Sequence, residues 1–118
     1  PKKYAYEPNA SLMKSGGFEA ISELFLIDKL HQHSHLYTSD ANLDFPGRKF
    51  RIDVIVPFQK KEISALIQGK KMNVSTRNFP IKPEEIKKKY KIKDGGTIFA
   101  FFTTNMNNEK IILLCTKL

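Results

Sequence analysis

Residues 50–58 read Phe50-Arg51-Ile52-Asp53-Val54-Ile55-Val56-Pro57-Phe58. Phe50, Ile52, Val54, Val56 and Phe58 alternate with Arg51, Asp53, Ile55 and Pro57. A period of two places alternate side chains on opposite faces of a strand, so this stretch predicts a strand with one face turned to a core. Pro46-Gly47 supplies the turn before it. After it, Lys60 to Gln68 reads as a short helix with Ile63, Leu66 and Ile67 facing inward, and Gly69 ends it. Lys71 to Thr76 reads as a second strand, broken by Asn78-Phe79-Pro80. Pro83 then opens a helix. Glu84 and Glu85 suit its first turn, and Lys87, Lys88, Lys89 and Lys91 crowd its late turns, where cations complement the dipole. Asp94-Gly95-Gly96 is a turn. About Thr97–Thr104 and Lys110–Thr116 form a terminal hairpin, apolar on both faces and therefore central.

Upstream the pattern is weaker. Residues 1–8 look extended. Asn9 to Lys14 forms a short turn or helix closed by Ser15-Gly16-Gly17. Phe18, Ile21, Leu24 and Phe25 trace a helical stripe over roughly Phe18 to Leu30. His31 to Asp44 is irregular. The expectation is an α+β domain spanning 1–118. It has a mixed sheet of about four to five strands with three helices and ends in a C-terminal β-hairpin.

The chain has 118 residues, 41% hydrophobic and 27% charged. These values suit one packed core and exclude disorder for the bulk of the chain. The longest apolar runs are about five residues, far short of a spanning helix. Cys115 is the single cysteine, which excludes an internal disulfide and a cysteine-based zinc site. A reduced, cytoplasmic setting is the simple expectation. No G-x-G-x-x-G, P-loop or nucleophile elbow is present. The chain opens at Pro1 with no Met, and the expectation is a piece of a longer protein.

The net charge of +8 is confined to one stretch. Residues 1–59 and 94–118 are each neutral, while 60–93 carry eleven basic and three acidic groups. Such asymmetry points to an anionic partner, most often a phosphate backbone through counterion release. A solubilising lysine-rich surface gives the same count.

Within that stretch, one strand face presents Lys71, Asn73, Ser75 and Arg77, with Lys70 and Asn78 at its ends. Arg and Lys take phosphates, and Asn and Ser reach sugars or base edges. The helix after Pro83 adds Lys87, Lys88 and Lys91 beside it. The candidate nucleic-acid-binding set is therefore Lys70, Lys71, Asn73, Ser75, Arg77, Asn78, Lys87, Lys88 and Lys91. Phe79 and Tyr90 are stacking candidates or core.

Other constellations are weaker. His31, His33 and His35 would share one side of a strand and suit zinc or nickel, but the segment reads as a loop. Asp40, Asp44 and Asp53 have no fixed separation, and Asp53 beside Arg51 reads as a surface ion pair. Cys115 sits in an apolar strand with no base in sight. No catalytic or metal residue is assigned.

Five segments appear in order: residues 6–16 (YEPNASLMKSG), 35–39 (HLYTS), 45–48 (FPGR), 73–80 (NVSTRNFP) and 93–96 (KDGG). Together they resemble the C-terminal THUMP-like domain that follows a class I S-adenosylmethionine-dependent methyltransferase domain in bacteria. The resemblance implies an accessory module without catalytic or cofactor residues, with S-adenosylmethionine held by an upstream domain. THUMP domains proper are RNA-binding units of RNA-modifying enzymes, so the resemblance implies tRNA or rRNA as partner. It makes residues 1–17 the connection to the upstream domain, with Tyr6, Glu7, Asn9 and Lys14 as candidate inter-domain or cleft residues. The alternative is a docking module with no nucleic-acid contact. Phe18, Phe25, Phe45, Phe50 and Phe79 motivate it, being many aromatics for so short a chain.

Overall fold

The structure is a computed structural model and describes residues 3–8, 28–29, 37–39, 47–105 and 107–118. Among the described residues seven strands form one sheet: β1 Tyr4–Pro8, β2 Asp28–Lys29, β3 Tyr37–Ser39, β4 Gly47–Pro57, β5 Asn73–Arg77, β6 Ile98–Thr104 and β7 Lys110–Lys117. Their spatial order is β2-β3-β1-β4-β7-β6-β5. Two helices lie among the described residues, α1 Lys60–Leu66 and α2 Pro83–Tyr90.

This corrects the expected count of three helices and four to five strands. The expected helix over Phe18 to Leu30 lies outside the described residues except at its end, where Asp28–Lys29 is strand. β2 and β3 have two and three residues, too few for a period to show. The terminal hairpin is present as β6 and β7, with β7 between β4 and β6 in the sheet interior.

β5 and β6 run parallel, joined through α2, and the other pairs are antiparallel. A parallel neighbour needs a crossover, and α2 provides it. Pro83 sits at the first turn with Glu84 and Glu85, and Lys91 caps the far end in the left-handed conformation.

β4 departs from the simple alternation. Ile52 pairs with Cys115 but Val54 pairs with Leu114, so Asp53 is an extra residue in the ladder. One inserted residue switches the face to which the following side chains point. Phe50 therefore packs with Ala5, Phe101, Leu113 and Cys115 on one face, with Ile52 against them. Val56, of the same parity, packs on the other face with Ile63, Ile67, Ile86, Phe102 and Ile112. β4 thus serves two cores, and both helices cover the second one.

The bulge is pinned by side chains. Arg51 donates to Asp53 at 2.7 Å, and Thr116 donates to the other Asp53 oxygen at 2.6 Å. Burial pushes the Asp53 carboxyl up. The hydrogen bonds from Thr116 and Arg51, with the guanidinium charge, outweigh that and hold it below the usual carboxylate range.

Cys115 is fully buried beside this bulge. Burial, aided by the Asp53 charge, pushes its thiol up to about 12. The native protein should therefore resist a disulfide reagent near about pH 8 and react fully once unfolded in guanidinium. Rapid labelling of the native chain would contradict this burial. The folded thiol holds its proton more tightly than the unfolded one, so this group's contribution is intact below the unfolded value of about 8.5. It declines as pH rises from there towards about 12.

Candidate nucleic-acid interface

The two helices end at the same place. Gly69, just beyond α1, donates its backbone N–H to the carbonyl of Tyr90, the last residue of α2, at 2.9 Å. The chain segments that follow are stitched together. Lys93 N–H donates to Lys70 at 3.0 Å, Met72 N–H donates to Lys93 at 2.9 Å, and Lys71 and Lys93 form a parallel bridge. Lys70, Lys71, Lys91 and Lys93, from two segments about twenty residues apart in sequence, are thereby gathered at one end of the helical layer, and all four are exposed.

The turn after Lys93 makes room for this. Gly95 and Gly96 have φ of 111° and 79°. The Lys71 side chain lies across them so closely that a Cβ on Gly95 would sit 2.9 Å from its Cε. Lys87 pairs with Asp94 at 3.1 Å. Lys60, Lys61, Lys82, Lys88 and Lys89 are exposed on the helices and their loops. Arg77 and Lys87 are the basic residues of 60–93 that hold a carboxylate partner among the described residues.

The polar face of β5 is arranged differently. Asn73 donates to the carbonyls of Gly96 at 3.1 Å and Ile98 at 3.2 Å, closing the turn before β6. Arg77 donates to Thr76 O at 2.8 Å and to a Glu7 oxygen, and its guanidinium lies 5.8 Å from the Phe101 ring centre. Burial lowers the Arg77 pKa, yet a guanidinium stays charged at physiological pH. Ser75 is half-buried, and Asn78 is exposed with φ of 53°. Lys71 lies outside β5, in the bridge with Lys93, with its side chain across Gly95 and Gly96. Lys88 is exposed on α2 and Lys91 at its C-cap.

Of the candidate inter-domain residues, Tyr6 is buried and Glu7 is held by Arg48 at 2.6 Å and by Arg77. Tyr4–Pro8 is itself a strand paired with β3 and β4. Asn9 and Lys14 lie outside the described residues, as do His31, His33 and His35 and the acidic pair Asp40 and Asp44. Phe50 is fully buried, and Phe79 meets Phe58 and Phe102 edge-on at 5.1 and 5.7 Å, so these two aromatics serve the core. Phe18, Phe25 and Phe45 lie outside the described residues. Sequence reasoning did not single out Lys93. A strand bridge between Lys71 and Lys93 has no local signature, since it needs α2 to fold back first.

Residues 47–117 match the family described as THUMP domain-like. The chain belongs to that family. Residues 4–46 of this THUMP-like chain match a second family, described as a ferredoxin-like domain. The two matched segments share one sheet, because β1 of the ferredoxin-like segment pairs with β4 of the THUMP-like segment along Tyr4–Pro8. A crystal structure from Porphyromonas gingivalis W83, of a protein named a "putative methyltransferase", is similar over 98% of the chain, with 38% identity and a TM-score of 0.86. The THUMP-like chain spans 29% of that protein's length. No curated protein matches the chain. No helix among the described residues is long and apolar enough to cross a membrane.

Proposed function

We propose that this THUMP-like domain is the non-catalytic RNA-recognition module of an S-adenosylmethionine-dependent methyltransferase. The observation that carries the reading is the cluster of Lys70, Lys71, Lys91 and Lys93, exposed and without carboxylate partners among the described residues. Lys88 and Lys89, also exposed on α2, add to the positive charge of the helical layer. A phosphate backbone meets such a surface by displacing condensed counterions, which favours binding without any base contact. The similarity to a protein named a "putative methyltransferase", of whose length this chain spans 29%, supports an accessory role. Catalysis and S-adenosylmethionine binding would fall to the remainder of such an enzyme, in the cytoplasm, with tRNA or rRNA as the class of substrate.

The test is a titration of the chain with a structured RNA at several salt concentrations. Binding should weaken steeply, with log K falling linearly against log salt. Absence of binding at low salt would remove the reading for this chain.

A further inference from the structure

We infer that the groove between α1 and the end of α2 is a pocket for one unpaired base of the bound RNA. The inference rests on the proposed RNA reading and adds a specific site to it.

The groove has a volume of about 310 Å³. Ligand pockets run from roughly 300 to 1,000 Å³, so this one suits a single ring system and little more. Its apolar walls are Phe58 and Tyr90, both half-buried. Their rings stand at 88° with centres 6.5 Å apart. A planar base stacked on one ring meets the edge of the other, the two geometries aromatic pairs favour. Phe58 is braced from behind by Phe79 and Phe102, so it is a fixed wall.

Polar groups stand where a base needs them. Ser64 on α1 and Gln68 in the turn just beyond it line the groove. The Ser64 hydroxyl lies 3.5 Å from Gln68 Oε1, longer than an ordinary hydrogen bond, so the exposed amide keeps both its NH2 donor and its oxygen acceptor for a ligand. A side-chain amide offers one donor and one acceptor, matching the acceptor and donor on an adenine edge. Lys60 and Lys89 stand on the rim, and Lys89 Nζ lies 5.5 Å from the Tyr90 ring centre.

The charge pattern selects the occupant. Gln68 directly precedes Gly69, whose N–H donates to Tyr90, and Lys70 and Lys91 are the next residues of the two segments so joined. A polyanion lying on that cluster therefore passes the mouth of the groove. A neutral apolar ligand would gain nothing from Lys60 and Lys89, whereas a nucleotide uses both its base and its phosphate. Aromatic side chains beside a basic track are how single-stranded nucleic acid is held.

The experiment uses the full chain and single-stranded oligoribonucleotides carrying one 2-aminopurine, an adenine analogue whose emission falls on stacking. Anisotropy of an end label reports binding separately. Inorganic polyphosphate of matched charge is the base-free competitor. Wild type should bind with quenching. Tyr90→Leu should lose the quench and weaken RNA binding by about 5- to 100-fold, the range for one stacked base. Polyphosphate binding should stay unchanged in that variant. Gln68→Ala, an exposed substitution, should erase preference for an adenine-containing over an all-uridine oligomer. Salt-sensitive binding with no quench, or with both variants like wild type, would overturn the pocket and leave the RNA reading standing. Failure to bind RNA or polyphosphate at low salt would overturn both.

Discussion

Replacing Lys70, Lys71, Lys91 and Lys93 together by alanine is expected to lower the slope of log K against log salt for single-stranded RNA by about 3, since each phosphate contact contributes roughly 0.7. Affinity at low salt should fall at the same time, by at least about tenfold. All four side chains are exposed, and their structural bonds run through backbone atoms. Stability should therefore stay close to wild type, as surface substitutions usually change it by no more than about 0.5 kcal/mol each. A control variant with alanine at Lys3 and Lys117, exposed positions on other elements, should keep the full slope. An unchanged slope in the quadruple variant would show that RNA docks elsewhere. The prediction separates this cluster from the β5 face, where Asn73 and Arg77 already hold partners within the chain.

That separation marks where reading the sequence stops. The charge excess of 60–93 is visible in composition, and α1 and α2 follow from periodicity and from Pro83 with its two glutamates. β6 and β7 are legible because their apolar runs leave no solvent face. β4 is legible as a strand, but its two facings are not. The bulge at Asp53 depends on pairing with Cys115 and Leu114, some sixty residues away. Strict alternation therefore assigned Phe50 and Val56 to one core when they serve two. The strand face of Lys71, Asn73, Ser75 and Arg77 follows from alternation alone. Alternation says which side chains share a face and is silent on whether a distant carboxylate occupies them. Glu7 is seventy residues from Arg77 in sequence. The gathering of Lys71 with Lys93 likewise needs the crossover helix in place before the two segments meet. Local rules find elements, whereas sites made by long-range closure appear only with the topology.

The Glu7 contact has its own consequence. One Glu7 oxygen takes Arg48 at 2.6 Å and the other takes Arg77. Arg48 lies over Phe50 at 5.4 Å and Arg77 over Phe101 at 5.8 Å, and those two rings meet edge-on at 4.9 Å. A single carboxylate thus bridges two guanidinium groups above an aromatic floor, tying β1 to β5, four places apart in the sheet. Its side chain is 17% exposed, against 26% for Arg77 and 43% for Arg48. Removing it leaves Arg77 partly buried without its counter-charge, while Arg48 can turn to water. The expected cost of Glu7→Ala is about 1–3 kcal/mol, below the penalty for a fully buried pair because of that exposure. At roughly 4–6 °C per kcal/mol for a chain near this length, Tm should fall by about 5–15 °C. Glu7→Gln keeps an acceptor and should lose less. Arg77→Ala should destabilise similarly, and the Glu7/Arg77 double variant should fall short of the sum of the singles, because the pair is one interaction. Additive singles would mean that the contact does not hold the sheet together. The same bridge joins the segment matching the ferredoxin-like family to β5, the edge strand of the THUMP-like segment. With β1 also laddered to β4, the two segments should melt in one calorimetric transition, and a second resolved transition in wild type would show them to be separate units.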